Sequence, residues 1–375
     1  MKRALFLCNT HFQCITAITI KLTKYANEEV DIIISDYMKD SKKLYQRIKE
    51  IGIFGDVYHI SVRDCFSKKK NFKYYINVLN TELRPEYWAD KIGIKSDYES
   101  FFTYNTDPLA ESIFYKLRKK NSNTAVSLYD EGYSTYTSLY QNSLFGKTVR
   151  LNILRSVFNF LGNRKHIIDF AQDIFLFDPD LLCWNVPFKI NKIDSVKKSE
   201  EYYEILNKVF GFEELKDSYD RNVIFFEESY YWDNRPIDDL KMVEYLAKKI
   251  GKNRIMIKLH PRNRVNRFNK LKYTTNNEVG IPWEIIAMNM KNYTDKLFVT
   301  YTSGSVISYR ILFEKKFKSI MLFDCMQESN SNINESSKMY FEKFSNKYNE
   351  DFFIPKNLKE LDVILETFEK SINNA

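Results

Sequence analysis

Val30-Asp31-Ile32-Ile33-Ile34-Ser35 is an almost unbroken apolar run followed by an amphipathic stretch from Lys39 to Ile51. A short run rich in β-branched residues reads as a strand buried on both faces, as in parallel sheets. The same couple recurs outward from it. Ala4–Cys8 precedes a helix pattern over His11–Tyr25, Asp56–Ile60 supplies a third strand, and Phe101–Tyr104 precedes a helical pattern over Pro108–Lys119. Ala125–Tyr129 and Ile174–Phe177 add two more strands. After a Lys-, Ser-, Glu- and Asp-rich stretch with one helical pattern at Glu200–Val209, the alternation restarts. It continues through strand Val223–Phe226, helix Ile237–Ile250, strand Ile255–Leu259, helix Trp283–Met290, and strands Leu297–Tyr301 and Ser319–Phe323. Helical patterns over Ser337–Tyr348 and Leu358–Ile372 close the chain. Such alternation predicts an α/β chain of two doubly wound, Rossmann-like domains. The expected divisions are 1–185, a linker region at 186–220, and 221–375.

Composition agrees with two packed domains. The chain has 375 residues, 44% of them hydrophobic, enough for substantial cores. The formal charge of +8 comes mostly from scattered lysines. Short runs such as Ser67-Lys68-Lys69-Lys70 and Arg118-Lys119-Lys120 suit an anionic membrane face, with a solvated basic surface as the competing reading. They match no nucleic-acid motif, so nucleic acid is not an expected partner. Five separated cysteines (Cys8, Cys14, Cys65, Cys183, Cys325) without CxxC spacing argue against a zinc cage or a disulfide framework and for a reducing compartment. The apolar run at Ala4–Cys8 is too short for a secretory signal, and no window reaches the roughly 18 apolar residues that span a bilayer. A cytoplasmic protein, peripheral on the inner membrane face at most, is the expectation.

Ligands of doubly wound sheets lie beyond the carboxyl ends of the strands. Four places there carry chemistry. Tyr129-Asp130-Glu131-Gly132 puts two acids at a strand end, where a carboxylate can act as general base, although such residues also make plain turns. Lys258-Leu259-His260-Pro261-Arg262 sets a histidine among cations, suited to neutralising or protonating a leaving phosphate, or else to capping the next segment. In Gly280-Ile281-Pro282-Trp283-Glu284, an acid in the first helical turn can hold a ribose diol or simply complement the helix dipole. Thr300-Tyr301-Thr302-Ser303-Gly304-Ser305 offers hydroxyls and backbone N–H groups to a phosphate, or an ordinary Ser-capped loop. Asn9-Thr10-His11-Phe12-Gln13, after the first strand, either touches an acceptor or caps a helix. Asp178-Pro179-Asp180 has the D-x-D form of metal-dependent transferases.

The order of these motifs, Asp-Glu-Gly, then His-Pro, then Pro-Trp-Glu, then Ser-Gly-Ser, resembles bacterial sialyltransferases. The likeness is to the lipooligosaccharide and capsule enzymes of glycosyltransferase family 52. That resemblance implies the GT-B architecture, two Rossmann-like domains facing a central cleft. It implies inverting transfer of sialic acid from CMP-sialic acid to a galactoside-type hydroxyl, in capsule or lipo-oligosaccharide synthesis. Another nucleotide-sugar donor, a polysialyltransferase, or a non-catalytic nucleotide- or carbohydrate-binding protein are the alternatives. By the same resemblance Asp130 is the general base and His260 the general acid or phosphate partner. Glu131, Glu227 or Glu228 can share or replace the role of Asp130. Lys258 with Pro261 and Arg262 lies at the nucleotide, Glu284 holds the ribose, and Thr302, Ser303, Gly304 and Ser305 take the phosphate. A CMP donor carries one phosphate, so no metal clamp or other cofactor is expected. A homodimer is compatible with the resemblance.

Overall fold

The computed structural model describes residues 3–61, 76, 80, 84–90, 92–94, 97–146, 165–194, 199–215, 217–231, 238–263, 265–276, 280–291, 293–325 and 333–373. They form two compact units, Met1–Gly211 and Phe212–Ala375. Ser67–Lys70 and Cys65 lie outside the described residues.

The first unit is built on seven strands: β1 (Arg3–Cys8), β2 (Glu29–Ser35), β3 (Val57–Ile60), β4 (Ser100–Thr103), β5 (Ala125–Tyr129), β6 (Ala171–Leu176) and β7 (Lys189–Lys192). Their order is β3-β2-β1-β4-β5-β6-β7, and every pairing is parallel. In β2 every residue after Glu29 is buried, because β1 and β3 flank it in the plane and helices cover its faces. Helix α1 (His11–Thr23) starts where the Thr10 side chain accepts from the Gln13 N–H. Helix α2 (Ser41–Ile51) follows β2. Helix α3 (Pro108–Lys120) opens on an Asp107 cap with proline in its first turn, a start worth about 1 kcal/mol. The Arg118-Lys119-Lys120 run is its last turn, where cations complement the helix dipole.

The second unit repeats the plan with β8 (Val223–Phe226), β9 (Ile255–Lys258), β10 (Thr274–Thr275), β11 (Leu297–Thr300), β12 (Lys318–Met321) and β13 (Phe352–Phe353). The order is β10-β9-β8-β11-β12-β13, again all parallel. Val223, Phe225, Leu246, Ile257, Val299, Ile320 and Leu361 form its core, each side chain contributing about 1.5–3 kcal/mol by leaving water.

In the stretch expected as a linker region, the helical pattern at Glu200–Val209 is a helix, α4 (Glu200–Phe210), and strand β7 precedes it, both within the first unit. Tyr202, Leu206, Val209 and Phe210 of α4 are buried, and the Tyr202 hydroxyl meets Thr19 Oγ1 of α1 at 2.7 Å. Its polar composition is the outer face of an amphipathic helix. The strands that escaped the reading, β7, β10 and β13, are edge strands. With one neighbour each, they need no continuous apolar run. Among the described residues no helix is long and apolar enough to cross a membrane.

Candidate active site

Strand order reverses between β1 and β4 in the first unit and between β8 and β11 in the second. The carboxyl ends of those strands are where ligands of such sheets bind. Each unit carries a polar cluster there.

In the first unit the two acids after β5 have separate fates. Asp130 is fully buried. Its Oδ1 accepts the Gly132 N–H at 2.8 Å, while Oδ2 accepts the Phe177 N–H at 3.1 Å and the Tyr136 hydroxyl. Burial pushes its pKa up to about 6 against those three donors. The carboxylate therefore ties the loop after β5 to the end of β6. Gly132 follows at φ 94° and ψ −163°, a conformation that only glycine adopts readily. That turn carries the half-buried Glu131 to the strand end. Burial pushes Glu131 up to about 7; the Gln13 and Thr10 side chains oppose that rise, and Asp130 adds to it. A carboxylate titrating near neutrality suits a general base. The two adjacent acids are thus held in different environments, which is how the roles of paired carboxyl groups come to separate: Asp130 is bonded into the loop, and Glu131 faces the Gln13 and Thr10 side chains. Asp130→Ala is accordingly expected to strand three donors, at about 1–3 kcal/mol for each that finds no other acceptor, read as a lowered midpoint in thermal unfolding.

Asn9, Thr10 and Gln13 stand beside these acids. Thr10 is the cap of α1, and the Thr16 hydroxyl donates to the Asp130 carbonyl at 3.1 Å. Asp178, of the D-x-D string, is buried; its N–H donates to the Tyr136 oxygen at 3.2 Å, which places it in the same loop-holding network.

In the second unit, Glu227 and Glu228 leave β8 in different directions. Glu227 is buried; it accepts the His260 N–H at 3.0 Å and pairs with Arg267 at 2.9 Å. Arg267 also pairs with Asp239. Glu227 is thus an anchor for the His260 turn. Glu228 Oε1 accepts from Thr302 N–H and Thr300 Oγ1, both at 2.8 Å. Burial raises its pKa against those bonds. It orients the loop that carries Ser303 and Ser305.

His260 Nδ1 accepts the Arg262 N–H at 3.2 Å. A neutral ring then carries its proton on Nε2, as a donor. Pro261 makes the turn that brings Arg262 round to this bond. The Lys258 ammonium lies over the rings of Phe226 and Trp283, at 5.6 and 5.8 Å from their centroids. Burial lowers its pKa, opposed by Glu284, Glu228 and Glu227. Glu284 is in the first turn of α5 (Trp283–Asn289), whose Trp283 packs edge-on to Phe226 at 4.6 Å. The Ser303 N–H donates to Thr300 Oγ1 and the Ser305 N–H to Ser303 Oγ. The Gly304 N–H, at the start of helix α6 (Ser305–Phe313), has no acceptor among the described residues. A cation, an imidazole N–H, two serine hydroxyls and a helix N-terminus form a set able to hold a phosphate.

The residues singled out in sequence thus fall into two clusters. Lys258, His260, Glu284, Glu228 and the Thr302–Ser305 loop share the strand ends of the second unit. Asp130 and Glu131 share those of the first with Thr10 and Gln13. Tyr136, Arg267 and Asp239, which hold the two turns, went unnoticed in the sequence. Tyr136 lies in a polar loop, and Asp239 and Arg267 are 28 residues apart.

A family model described as alpha-2,8-polysialyltransferase (POLYST) matches residues 4–322. No curated protein matches the sequence significantly. Among solved structures, the glycotransferase of kitacinnamycin aligns over 99% of this chain and 95% of its own, at 8% identity and TM-score 0.54. Arabidopsis thaliana UGT89C1 complexed with UDP aligns over 99% and 91%, at 8% identity and TM-score 0.52. An alpha/beta-galactoside alpha-2,3-sialyltransferase from Photobacterium phosphoreum aligns over 94% and 98%, at 12% identity and TM-score 0.49. Two parallel-sheet units, with the first two of these structures as neighbours, make this the GT-B glycosyltransferase architecture.

Proposed function

This chain belongs to the alpha-2,8-polysialyltransferase family, and from that premise we propose that it transfers sialic acid from CMP-sialic acid to a hydroxyl of a sialic-acid-terminated glycan. The family match carries the reading, because it spans both units and every candidate residue. It supports a sialylated acceptor in place of the galactoside that the family 52 resemblance implied. The phosphate-binding set at Lys258, His260, Ser303 and Ser305 supports a nucleotide donor.

In this mechanism Glu131 takes the proton of the attacking hydroxyl as the anomeric carbon is displaced with inversion. The bond to the CMP phosphate breaks, and the charge it leaves is met by Lys258, the His260 Nε2–H and the serine loop. Glu284 engages the ribose. Asp130, Glu227 and Glu228 hold these groups in place and do not touch the reacting atoms.

The test uses purified protein and CMP-sialic acid, with oligosialylated and galactoside-terminated acceptors, with and without EDTA. CMP release with lengthening sialic acid chains on the sialylated acceptor is the expected result. Product on the galactoside alone keeps the donor and overturns the acceptor. Turnover of a UDP-sugar with none of CMP-sialic acid overturns the donor.

A further inference from the structure

The N-terminus of α1 is locked to the turn that carries Glu131. Thr16 bonds the Asp130 carbonyl at 3.1 Å, and the Phe12 ring lies against Gly132, 3.8 Å from where a Cβ would stand. Within this contact Gln13 is only 1% exposed. Its Oε1 accepts the Asn9 N–H at 2.6 Å, and Asn9 is held in turn by the Ser35 hydroxyl at 2.7 Å. That bond decides which end of the carboxamide is which. Nε2 is left buried, completing no hydrogen bond of ordinary geometry among the described residues. A buried amide donor without an acceptor is costly and calls for an explanation. Of the acids beside this turn, Glu131 is the one whose ionised form the Gln13 side chain favours.

We propose that Gln13 is a positioning residue for Glu131, its Nε2–H held by the Ser35–Asn9 relay so as to orient the carboxylate and favour its ionised form. The proposal rests on the reading of Glu131 as the base. Other groups face Glu131: Asp130 from its own loop, Tyr104 after β4, Tyr129 from β5, Tyr140, and the Thr10 hydroxyl from the start of α1. Asp130 pushes the pKa up, and of these neighbours Gln13 is first in opposing the rise caused by burial. Removing the donor therefore raises the Glu131 pKa above about 7 and protonates the base at neutral pH.

The experiment compares wild type, Gln13→Met and Gln13→Glu. Met removes the donor at similar volume. Glu is isosteric, keeps the bond from Asn9, and puts a second carboxyl beside Glu131. For Gln13→Met the acid limb of the kcat/KM profile is expected to move up by roughly one pH unit. Activity is expected to recover to within about threefold of wild type on the alkaline plateau. Gln13→Glu is expected to move the limb further. In parallel, a carboxyl 13C NMR titration of glutamate-labelled protein, with Glu131 assigned by difference from Glu131→Gln, reads the same pKa without turnover. A Glu131 titration that both variants leave unmoved overturns the proposal while the base reading stands. A Glu131→Gln protein with full activity overturns the base reading, and the titration still decides whether Gln13 sets the carboxylate. Uniform loss at every pH with an unshifted titration makes Gln13 a packing or acceptor-contact residue and overturns the proposal.

Discussion

Glu131→Gln is expected to lower kcat/KM for sialyl transfer by on the order of 10²- to 10⁴-fold, the contribution of a positioned base, in a protein that still folds. The amide keeps the shape of the side chain but cannot take a proton. Asp130 is not expected to substitute for it, because it is fully buried and bonded to Gly132, Phe177 and Tyr136. In the wild type, kcat/KM is expected to fall with acidification through the Glu131 pKa of about 7. Stability should run the other way. Glu131 is raised above its unfolded value, so the native state binds more protons between about 4.5 and 7, and the stability present below that range is lost as pH rises through it. Glu131→Gln removes this loss. Its unfolding midpoint should lie above that of wild type at pH 8 and meet it near pH 5. An active Glu131→Gln, or one whose midpoint falls at pH 8, would remove Glu131 from the role of base.

His260→Ala is the second large effect, expected at on the order of 10²- to 10³-fold in kcat, the loss typical of a group that meets charge developing in the transition state. Lys258, Ser303, Ser305 and the start of α6 remain, so CMP affinity should weaken by less than about tenfold. The direction of the hydrogen bond at Nδ1 gives a sharper check. Arg262 donates to Nδ1, so the working proton is on Nε2. Glutamine carries an N–H near the position of Nε2, whereas asparagine mimics Nδ1. His260→Gln should recover part of the rate and His260→Asn none. The reverse order would mean that the ring is used in the other orientation and that the turn anchored by Glu227 serves packing alone.

The chain's own pattern determined the architecture. Strands such as β2, β5, β8 and β11 are buried on both faces and must be apolar along their length, so they announce themselves locally. The residue after such a strand stands at the ligand end of the sheet, which is why Asp130, Glu131, Glu228, His260 and the Thr302–Ser305 loop could be named before any coordinates. Edge strands lack that constraint, and β7, exposed at three of its four residues, carried no apolar run to announce it.

Division of labour among the carboxylates belonged to the tertiary structure. Asp130-Glu131 and Glu227-Glu228 are each a pair of adjacent acids, identical in charge and indistinguishable as strings. Asp130 became a tether because Phe177, 47 residues away, turns its N–H into the same buried space. Glu227 became an anchor because Arg267, 40 residues on, neutralises it. Glu131 was left to face Gln13 and Thr10, from a strand end more than a hundred residues earlier in the chain. Sequence sets which groups can reach a strand end, since that follows from local periodicity. Folding sets which are desolvated and which are paired, since burial and partnership come from segments that meet only in the folded chain.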